Sequence, residues 1–494
     1  MEFEFGIRKP ESGRRIEHKP FRILLLGNFS GASDGGSVAE RKIYPADTDH
    51  CDALWQLLEP GIDLGSPGIR FEPRDIDDFH PDSLFDSLPV FAQLRRTRKA
   101  LLDPATAQET LDRLLGSTPT ESEAPADQPE APGSESSGED ANDMFQRLMG
   151  KPLQSPGKAQ PVQHEANLDE FIHDLVAPHI VKSPDPRVDT AIDSVDLAIS
   201  ELMRNILHQP EFQALEASWR SLYGMFEHIE VDEDLQIFVC DISHSDLLAG
   251  LPEAGTGLDQ SALFELLVKR NVAVDDPTWT LIVGDYTFAN DPEDIAILTA
   301  LGAAAAVNGG VFLGGACSGM LGCADAQSLI EPRNWTRPEA GSLWQSLRQS
   351  DFAEHIGLAM PRLLARLPYG EATDPTDRFD FEELPRPKHD ELLWANPAFS
   401  VARLLAEGFK HNGWNMSPGN HVDLGPLPAY TFEHDGETRL HPCAEVLMPE
   451  STMVELLEQG FMPVVSYRDQ NTAVIGRFQS IASPVRALKG PWET

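Results

Sequence analysis

Positive charge is scarce in this sequence. Its 494 residues hold 39 Lys and Arg against 79 Asp and Glu, a formal net charge of −40. Such a surface repels nucleic acid and anionic membranes at long range, so neither is expected as a partner. Long apolar runs are missing too. No stretch of about 18 uncharged apolar residues occurs, so no membrane-spanning helix is expected. The N-terminus, Met1-Glu2-Phe3-Glu4-Phe5, puts acid where a secretory signal needs positive charge followed by an apolar run, which points to a cytoplasmic protein. Cysteine is sparse: Cys51, Cys240, Cys317, Cys323 and Cys443 are odd in number and contain no Cys-x-x-Cys pair. That argues against a zinc ribbon or a disulfide framework and for reduced, mostly buried thiols.

One composition break dominates what is there. Ser117 to Ala141 has no aromatic residue and no Val, Ile or Leu. A segment of this kind buries too little apolar surface to offset its ordering entropy, so it reads as a disordered acidic linker. The linker continues through the Pro- and Gln-rich stretch Lys151 to His164. It divides the chain into a part at 1–116, a linker at 117–167 and a larger part at 168–494. Within the linker, Met144, Phe145, Leu148 and Met149 would form one apolar stripe on a two-turn helix at 142–149. A short amphipathic segment in such surroundings is a candidate docking peptide, although it could also pack on its own domain.

Both parts alternate strand and helix signals, which predicts a mixed α/β fold in two lobes. Phe3, Phe5 and Ile7 alternate with acid as in a short strand, ahead of an arm at Lys9–Lys19. Phe21 to Leu26 is a continuous apolar run closed by Gly27-Asn28, the pattern of a strand buried on both faces. Asp52–Leu58 predicts a helix, Ile69–Phe71 a strand, and Pro81–Leu102 helix interrupted at Pro89. In the second part, Ile192, Val195, Ile199, Leu202, Met203 and Ile206 recur at helical spacing, with Asp189 as a candidate N-cap. Pro210 ends that helix and can begin the next, whose stripe is Phe212, Leu215, Trp219, Leu222 and Phe226. Strands follow at Leu235–Cys240, Thr280–Val283 and Val311–Leu313, helices at Asp294–Val307 and Phe399–Phe409, and paired strands at Phe461–Tyr467 and Ala473–Phe478.

Reactive constellations are hard to find. Gly309-Gly310-Val311-Phe312-Leu313-Gly314-Gly315 is glycine-rich, but no Lys or Arg lies between Arg270 and Arg333 to reach a phosphate. Close backbone packing around a buried strand is the better reading. Asp285, Asp291, Glu293 and Asp294 cluster after a strand. They could hold a hard cation, or cap the helix that Pro292 begins, and capping is favoured. A metal-dependent hydrolase using Asp285, Asp291 and Glu293 is the remote enzymatic alternative. No His-Glu-x-x-His or Gly-x-Ser-x-Gly occurs, and the adjacent Ser243-His244-Ser245-Asp246 cannot converge as a triad. No cofactor, metal or catalytic residue is expected.

Longer motifs say more. Lys19-Pro20-Phe21-Arg22-Ile23-Leu24-Leu25-Leu26-Gly27-Asn28-Phe29-Ser30-Gly31 resembles the signature strand of the small subunit (TssB, VipA, ImpB) of the type VI secretion contractile sheath. Asp75-Ile76-Asp77-Asp78-Phe79-His80-Pro81-Asp82 is similar to that subunit's Asp-Asp-Phe-x-Pro element. The second part resembles the large subunit (TssC, VipB, EvpB). The matching positions run from Ile206 to Arg220, with Phe212, Leu215, Trp219 and Arg220, through Gly284-Asp285-Tyr286. They continue through Gly357 to Gly370, with Pro361, Arg362, Arg366, Pro368, Tyr369 and Gly370, then Gly413-Trp414 and Leu456 to Val464, with Gly460 and Phe461.

The resemblance implies a structural, non-enzymatic protein. Subunits of this family stack as helical rings around an inner tube, interlace strands between protomers, and contract to drive the tube outward. Implied partners are further sheath subunits or copies of itself, the inner-tube protein, the baseplate and an AAA+ unfoldase. The unfoldase grips a helix near the large subunit's N-terminus, which makes Met144, Phe145, Leu148 and Met149 the candidate docking residues. Phe3, Phe5 and Ile7 are the candidate intersubunit strand. Two departures stand out: the subunits are normally separate chains, and the large-subunit-like part is shorter at its C-terminus than the family's usual length. The second departure raises an alternative, a non-polymerising adaptor or cap.

Overall fold

The computed structural model describes residues 19–32, 36–47, 51–65, 69–114, 187–252, 256–270, 278–336, 339, 341–386, 388–434 and 437–492. The candidate strand Phe3, Phe5 and Ile7, the linker at 117–167 and the candidate docking residues Met144, Phe145, Leu148 and Met149 lie outside the described residues.

The first part supplies strands β1 (Phe21–Gly27), β2 (Ile43–Ala46), β3 (Ile62–Asp63) and β4 (Arg70–Phe71). Its helices are α1 (Cys51–Leu58), α2 (Pro81–Ser87), α3 (Ala92–Leu102) and α4 (Ala107–Leu114). The second part opens with helices α5 (Arg187–Leu207) and α6 (Pro210–His228). Strand β5 (Leu235–Asp241), helix α7 (His244–Ala249), strand β6 (Leu281–Phe288), helix α8 (Pro292–Asn308) and strand β7 (Val311–Ala316) follow. Next come α9 (Leu343–Arg348), β8 (Ile356–Met360), β9 (Leu363–Leu364), β10 (Trp394–Ala395), α10 (Pro397–Asn412) and β11 (Asp423–Leu424). The hairpin β12 (Thr431–His434) and β13 (Glu437–Leu440), helix α11 (Glu450–Glu458), β14 (Met462–Ser466) and β15 (Ala473–Ile475) complete the order.

Among the described residues, nine strands form one sheet in the order β11-β15-β14-β8-β7-β6-β1-β5-β2. From β14 to β5 every neighbour is parallel; the outer pairs are antiparallel. Parallel strands must be covered on both faces, and these are. One face packs on α5, α6, α10 and the helices of the first part; the other packs on α8, α9 and α11. Strand β1 shows why the Phe21–Leu26 run is apolar at consecutive positions. Phe21, Ile23 and Leu25 enter the first layer, and Leu24 and Leu26 enter the second.

The sequence divides at its acidic stretch, but the sheet does not. Strand β1 pairs with β5 along Phe21↔Leu235 to Gly27↔Asp241, and on its other side with β6 along Ile23↔Leu281 to Leu26↔Gly284. The first part thus contributes an internal strand to the sheet of the second.

Local signals explain the helices. Pro210 sits at the first turn of α6, and Pro292 at the first turn of α8 behind the Asp291 cap. Asp189 is not an N-cap: α5 already runs from Arg187, so the acid sits in the first turn, where it faces the positive end of the helix dipole. Helix α8 ends at Gly309, whose φ of 69° is the left-handed conformation favoured by glycine at a helix C-terminus. At Gly310 a Cβ would stand 2.3 Å from the Trp279 carbonyl oxygen, so the glycine-rich stretch is a close approach of two backbones.

Candidate functional site: the seam between the two parts

The motif residues of the two parts meet in space. Beyond β1, the Phe29 carbonyl accepts a hydrogen bond from Trp219 Nε1 of α6 at 2.9 Å, and the two rings lie edge to face at 6.2 Å. Trp55 of α1 stacks on Trp219 with centroids 3.6 Å apart and planes 10° from parallel. Trp55 Nε1 donates to the Tyr223 hydroxyl at 2.9 Å. Phe79 packs against Phe71 at 5.3 Å and against Phe212 of α6 at 5.4 Å. Phe29, Phe79, Phe212 and Trp219 are fully buried and Leu215 nearly so. Fully burying a large apolar side chain contributes roughly 1.5–3 kcal/mol, so this aromatic seam is a major part of what joins the two parts.

Polar contacts continue the seam. Pro81 begins α2, and both carboxylate oxygens of Asp82 accept backbone hydrogen bonds, from Asp377 and Arg378 at 2.8 and 3.1 Å. Asp78 accepts from the Arg74 amide at 2.7 Å. Arg98 of α3 makes a two-toothed pair with Asp196 of α5 at 2.6 and 3.2 Å. At the other end of β1, Phe21 packs on Phe409 and Trp414, and Trp414 Nε1 donates to the Lys19 carbonyl at 3.0 Å. Gly413 allows that turn with φ of 56°.

Beneath α6 lies an ionic cluster. The Arg366 guanidinium donates to Glu216 at 2.6 and 3.2 Å and to Glu383 at 2.7 and 3.1 Å. Its plane lies over the Tyr369 ring at 4.0 Å. Arg220 donates to Glu216 at 2.7 Å and to the Tyr369 hydroxyl at 3.0 Å, and the Tyr369 amide donates to Glu383 at 2.8 Å. The His80 ring of the first part meets Tyr369 edge-on at 5.0 Å. Two carboxylates face two guanidiniums, so the cluster is neutral overall. Burial opposes the charge on Glu383, but Arg366, the nearby His208 ring at 3.6 Å and hydrogen bonds from Arg366 and the Tyr369 amide outweigh it and hold the carboxyl at about 2. Burial likewise opposes the Arg366 charge, yet Glu216 and Glu383 push its pKa up.

The remaining motif residues also hold the fold. Arg362, after Pro361, grips Glu445 through Nε and a terminal nitrogen at 3.0 and 2.6 Å. Burial would raise the Glu445 carboxyl, but His389 and Arg362 hold it at about 2. Pro368 accepts from the Thr373 hydroxyl, and the Gly370 amide donates to the Asp374 carbonyl. Gly460, at φ 89°, turns the chain beside Ile481 and delivers Phe461 onto Trp344, rings stacked at 6.0 Å.

The hydrolase carboxylates do not converge. Asp285 points to the α6 side of the sheet, where the Ser218 hydroxyl contacts it. Asp291 caps α8 through the Glu293 and Asp294 amides, as the capping reading expects. Asp294 binds His244 Nε2 and the Ala289 amide, both at 2.6 Å. Tyr286, adjacent to Asp285, faces the opposite layer and donates to the Ile242 carbonyl. Ser243 and Asp246 form a capping box at the start of α7. Among the described residues, no group of three or more His, Cys, Asp or Glu is placed to hold a metal ion.

Sequence reading missed Trp55, Glu383 and Glu445. Each looks like an ordinary surface or core residue in its own window, and only partners 168, 17 and 83 positions away reveal its role. Glu216 carried a signal: a carboxylate within the apolar stripe of α6, four residues before Arg220.

The motif positions of this layered α/β sheet are spent on packing and ion pairing. Residues 189–482, more than half of the chain, match VipB, described as the EvpB tail sheath N-terminal domain, and the chain belongs to that family. It is 32% identical over 323 residues to the type VI secretion system sheath protein TssC1 of Pseudomonas aeruginosa, a match covering 63% of this chain and 64% of that protein. The chain therefore spans less than two thirds of that relative's length. The second part is a type VI sheath large-subunit-like region.

Proposed function

We propose that this chain is a structural subunit of a type VI secretion contractile sheath, in which the first part takes the place of the small subunit. The observation that carries this reading is the seam. A strand bearing the small-subunit-like signature lies between β5 and β6 of the tail-sheath region, and Trp219 of that region holds the Phe29 carbonyl. Fused in one chain, the two parts form a unit of fixed one-to-one stoichiometry. That unit assembles with copies of itself or other sheath subunits around an inner tube, on a baseplate, in the cytoplasm. Phe3, Phe5 and Ile7 supply an intersubunit strand by edge addition, and Met144, Phe145, Leu148 and Met149 dock an AAA+ unfoldase.

Electron microscopy of the purified full chain with inner-tube protein tests the assembly. Helical tubular particles are expected. Monomers that persist under all conditions overturn the sheath reading and favour the adaptor, which a pull-down would then identify by its low stoichiometry on true sheath subunits.

A further inference from the structure

Helix α3 carries four cations within five positions, Arg95, Arg96, Arg98 and Lys99, in a chain with 79 acids against 39 Lys and Arg. Two of them are used inside the fold. Arg95 donates to the Phe85 carbonyl and lies 5.7 Å over the Phe85 ring. Arg98 makes its two-toothed pair with Asp196 of α5. Arg96 and Lys99 are exposed and make no hydrogen bond or ion pair among the described residues. Asp103, four residues past Lys99, turns its carboxylate to the Ala105 amide at 2.9 Å instead.

The fold alone gives no reason for this pair. Spacings of three and four set Arg95, Arg96 and Lys99 beside one another on the helix surface, where like charges repel. Lys99 lies in the last turn, where the helix dipole favours a cation, but Arg96 does not. Leu102 continues the same face three positions beyond Lys99 and is 54% exposed. The opposite face, with Leu94, Thr97 and Leu101, is buried. No other helix among the described residues exposes two unpaired cations one turn apart.

We propose that this face of α3, formed by Arg96, Lys99 and Leu102, is a contact surface for a second copy of this chain, which presents acid to it. The inference rests on the assembly reading above and places one of its contacts. Charge selects the occupant. Each copy carries −40, so two copies repel wherever acid meets acid. Salt confines that repulsion to about 8 Å at physiological ionic strength, so the patches that come within this range decide the contact. A basic face without internal partners is the complement of a neighbour's largely acidic surface. Helix α3 cannot meet its own copy across a two-fold axis, because cation would face cation, so the neighbour offers a different surface. The exposed Leu102 beside the two charges supplies an apolar centre with a charged rim. Nucleic acid and anionic lipid would also suit the two cations, but the net charge repels both at long range.

The test is the concentration at which the purified full chain, with inner-tube protein, forms sedimenting particles at about 0.05 M and about 0.5 M salt. Arg96→Glu combined with Lys99→Glu should raise that concentration about tenfold at the lower salt and much less at the higher. Arg96→Lys combined with Lys99→Arg keeps the charge and should assemble as the unsubstituted chain does. The thermal midpoint should move little in either variant, because neither side chain has a partner in the fold. Equal assembly of the reversed and unsubstituted chains, or a loss that is the same at both salts, overturns the proposal and leaves the sheath reading standing. An unsubstituted chain that never assembles removes both. Binding of the full chain to duplex DNA or to anionic vesicles, lost on reversal, overturns the assignment to a second copy. If the reversed chain does not fold, Arg96→Gln combined with Lys99→Gln replaces it, with a rise of about threefold expected and the same refuting outcomes.

Discussion

Replacing Arg366 by Met removes the one cation among the described residues that touches both Glu216 and Glu383. The two carboxylates are 0% and 2% exposed and Arg366 is 8% exposed, so water offers little relief. Breaking a buried pair by deleting one partner costs about 3–5 kcal/mol, because a charge is left uncompensated. Protonation sets a ceiling. Neutralising one glutamate of ordinary pKa near 4.5 at pH 7 costs about 3.4 kcal/mol, from 2.5 units at 1.36 kcal/mol each. Arg220 still serves Glu216 at 2.7 Å, so Glu383 is the group left to take the proton. We expect a loss of about 3 kcal/mol at pH 7.

The pH dependence separates this account from simple loss of packing. With Arg366 present, the Glu383 carboxyl at about 2 contributes stability above its ordinary value, lost as pH falls from about 4.5 toward 2. Without Arg366 its folded value rises above 4.5, so the variant gains stability as pH falls. The difference between the two proteins should therefore be largest near pH 8 and shrink toward pH 5. Urea unfolding of the full chain at several pH values measures it. Adding Glu216→Gln and Glu383→Gln to Arg366→Met should recover much of the loss. A penalty under about 1 kcal/mol, or one that is constant from pH 5 to pH 8, refutes the ionic reasoning.

Trp219→Phe keeps a ring but leaves the buried Phe29 carbonyl without its donor, and should cost about 1–3 kcal/mol in the same unfolding assay. Gly310→Ala drives a methyl into two carbonyl oxygens at 2.3 and 2.5 Å; the chain should be recovered mainly as insoluble protein, or with a markedly lower thermal midpoint. Arg362→Ala should cost less than Arg366→Met, about 1–2 kcal/mol, because its side chain is 42% exposed and solvent screens the pair. A protease site inserted near residue 130 and cut after folding should leave 1–116 and the second part co-eluting on gel filtration. Separation of the fragments without denaturant would refute the packed seam.

Much of the architecture was legible in the sequence because β1, α6 and α8 announce themselves locally. A run of consecutive apolar residues ending at Gly27 reads as a strand covered on both faces, and that is its place in the sheet. Strand β2 was not legible. Ile43-Tyr44-Pro45-Ala46 has no alternation and contains a proline, which an edge position tolerates because one side of the strand needs no partner. Hairpin β12–β13 was missed for a related reason: where its side chains are described it is largely exposed, so no buried face imposes a period on its residues. The motif residues were legible as a set, but not what they do. Arg366, Tyr369 and Arg220 read as separate positions in two stretches of chain; only folding brings them around Glu216.

The placement of β1 carries a consequence for any account of this molecule under load. A strand at a sheet edge can leave by breaking one ladder. Strand β1 has a ladder on each side, seven register pairs to β5 and four to β6. Parallel strands cannot be joined by a tight turn, so the chain reaches β1's neighbours only through long connections, here across the acidic stretch. Removing the first part would expose the edges of β5 and β6 together, along with the faces of Phe212 and Trp219 now covered by Phe79 and Trp55. Exposed parallel edges flanked by apolar surface invite wrong pairing. The two parts are therefore better viewed as one folding unit than as two lobes on a tether. Force applied to either should pass through the sheet itself, because β1 is held by a ladder on each side.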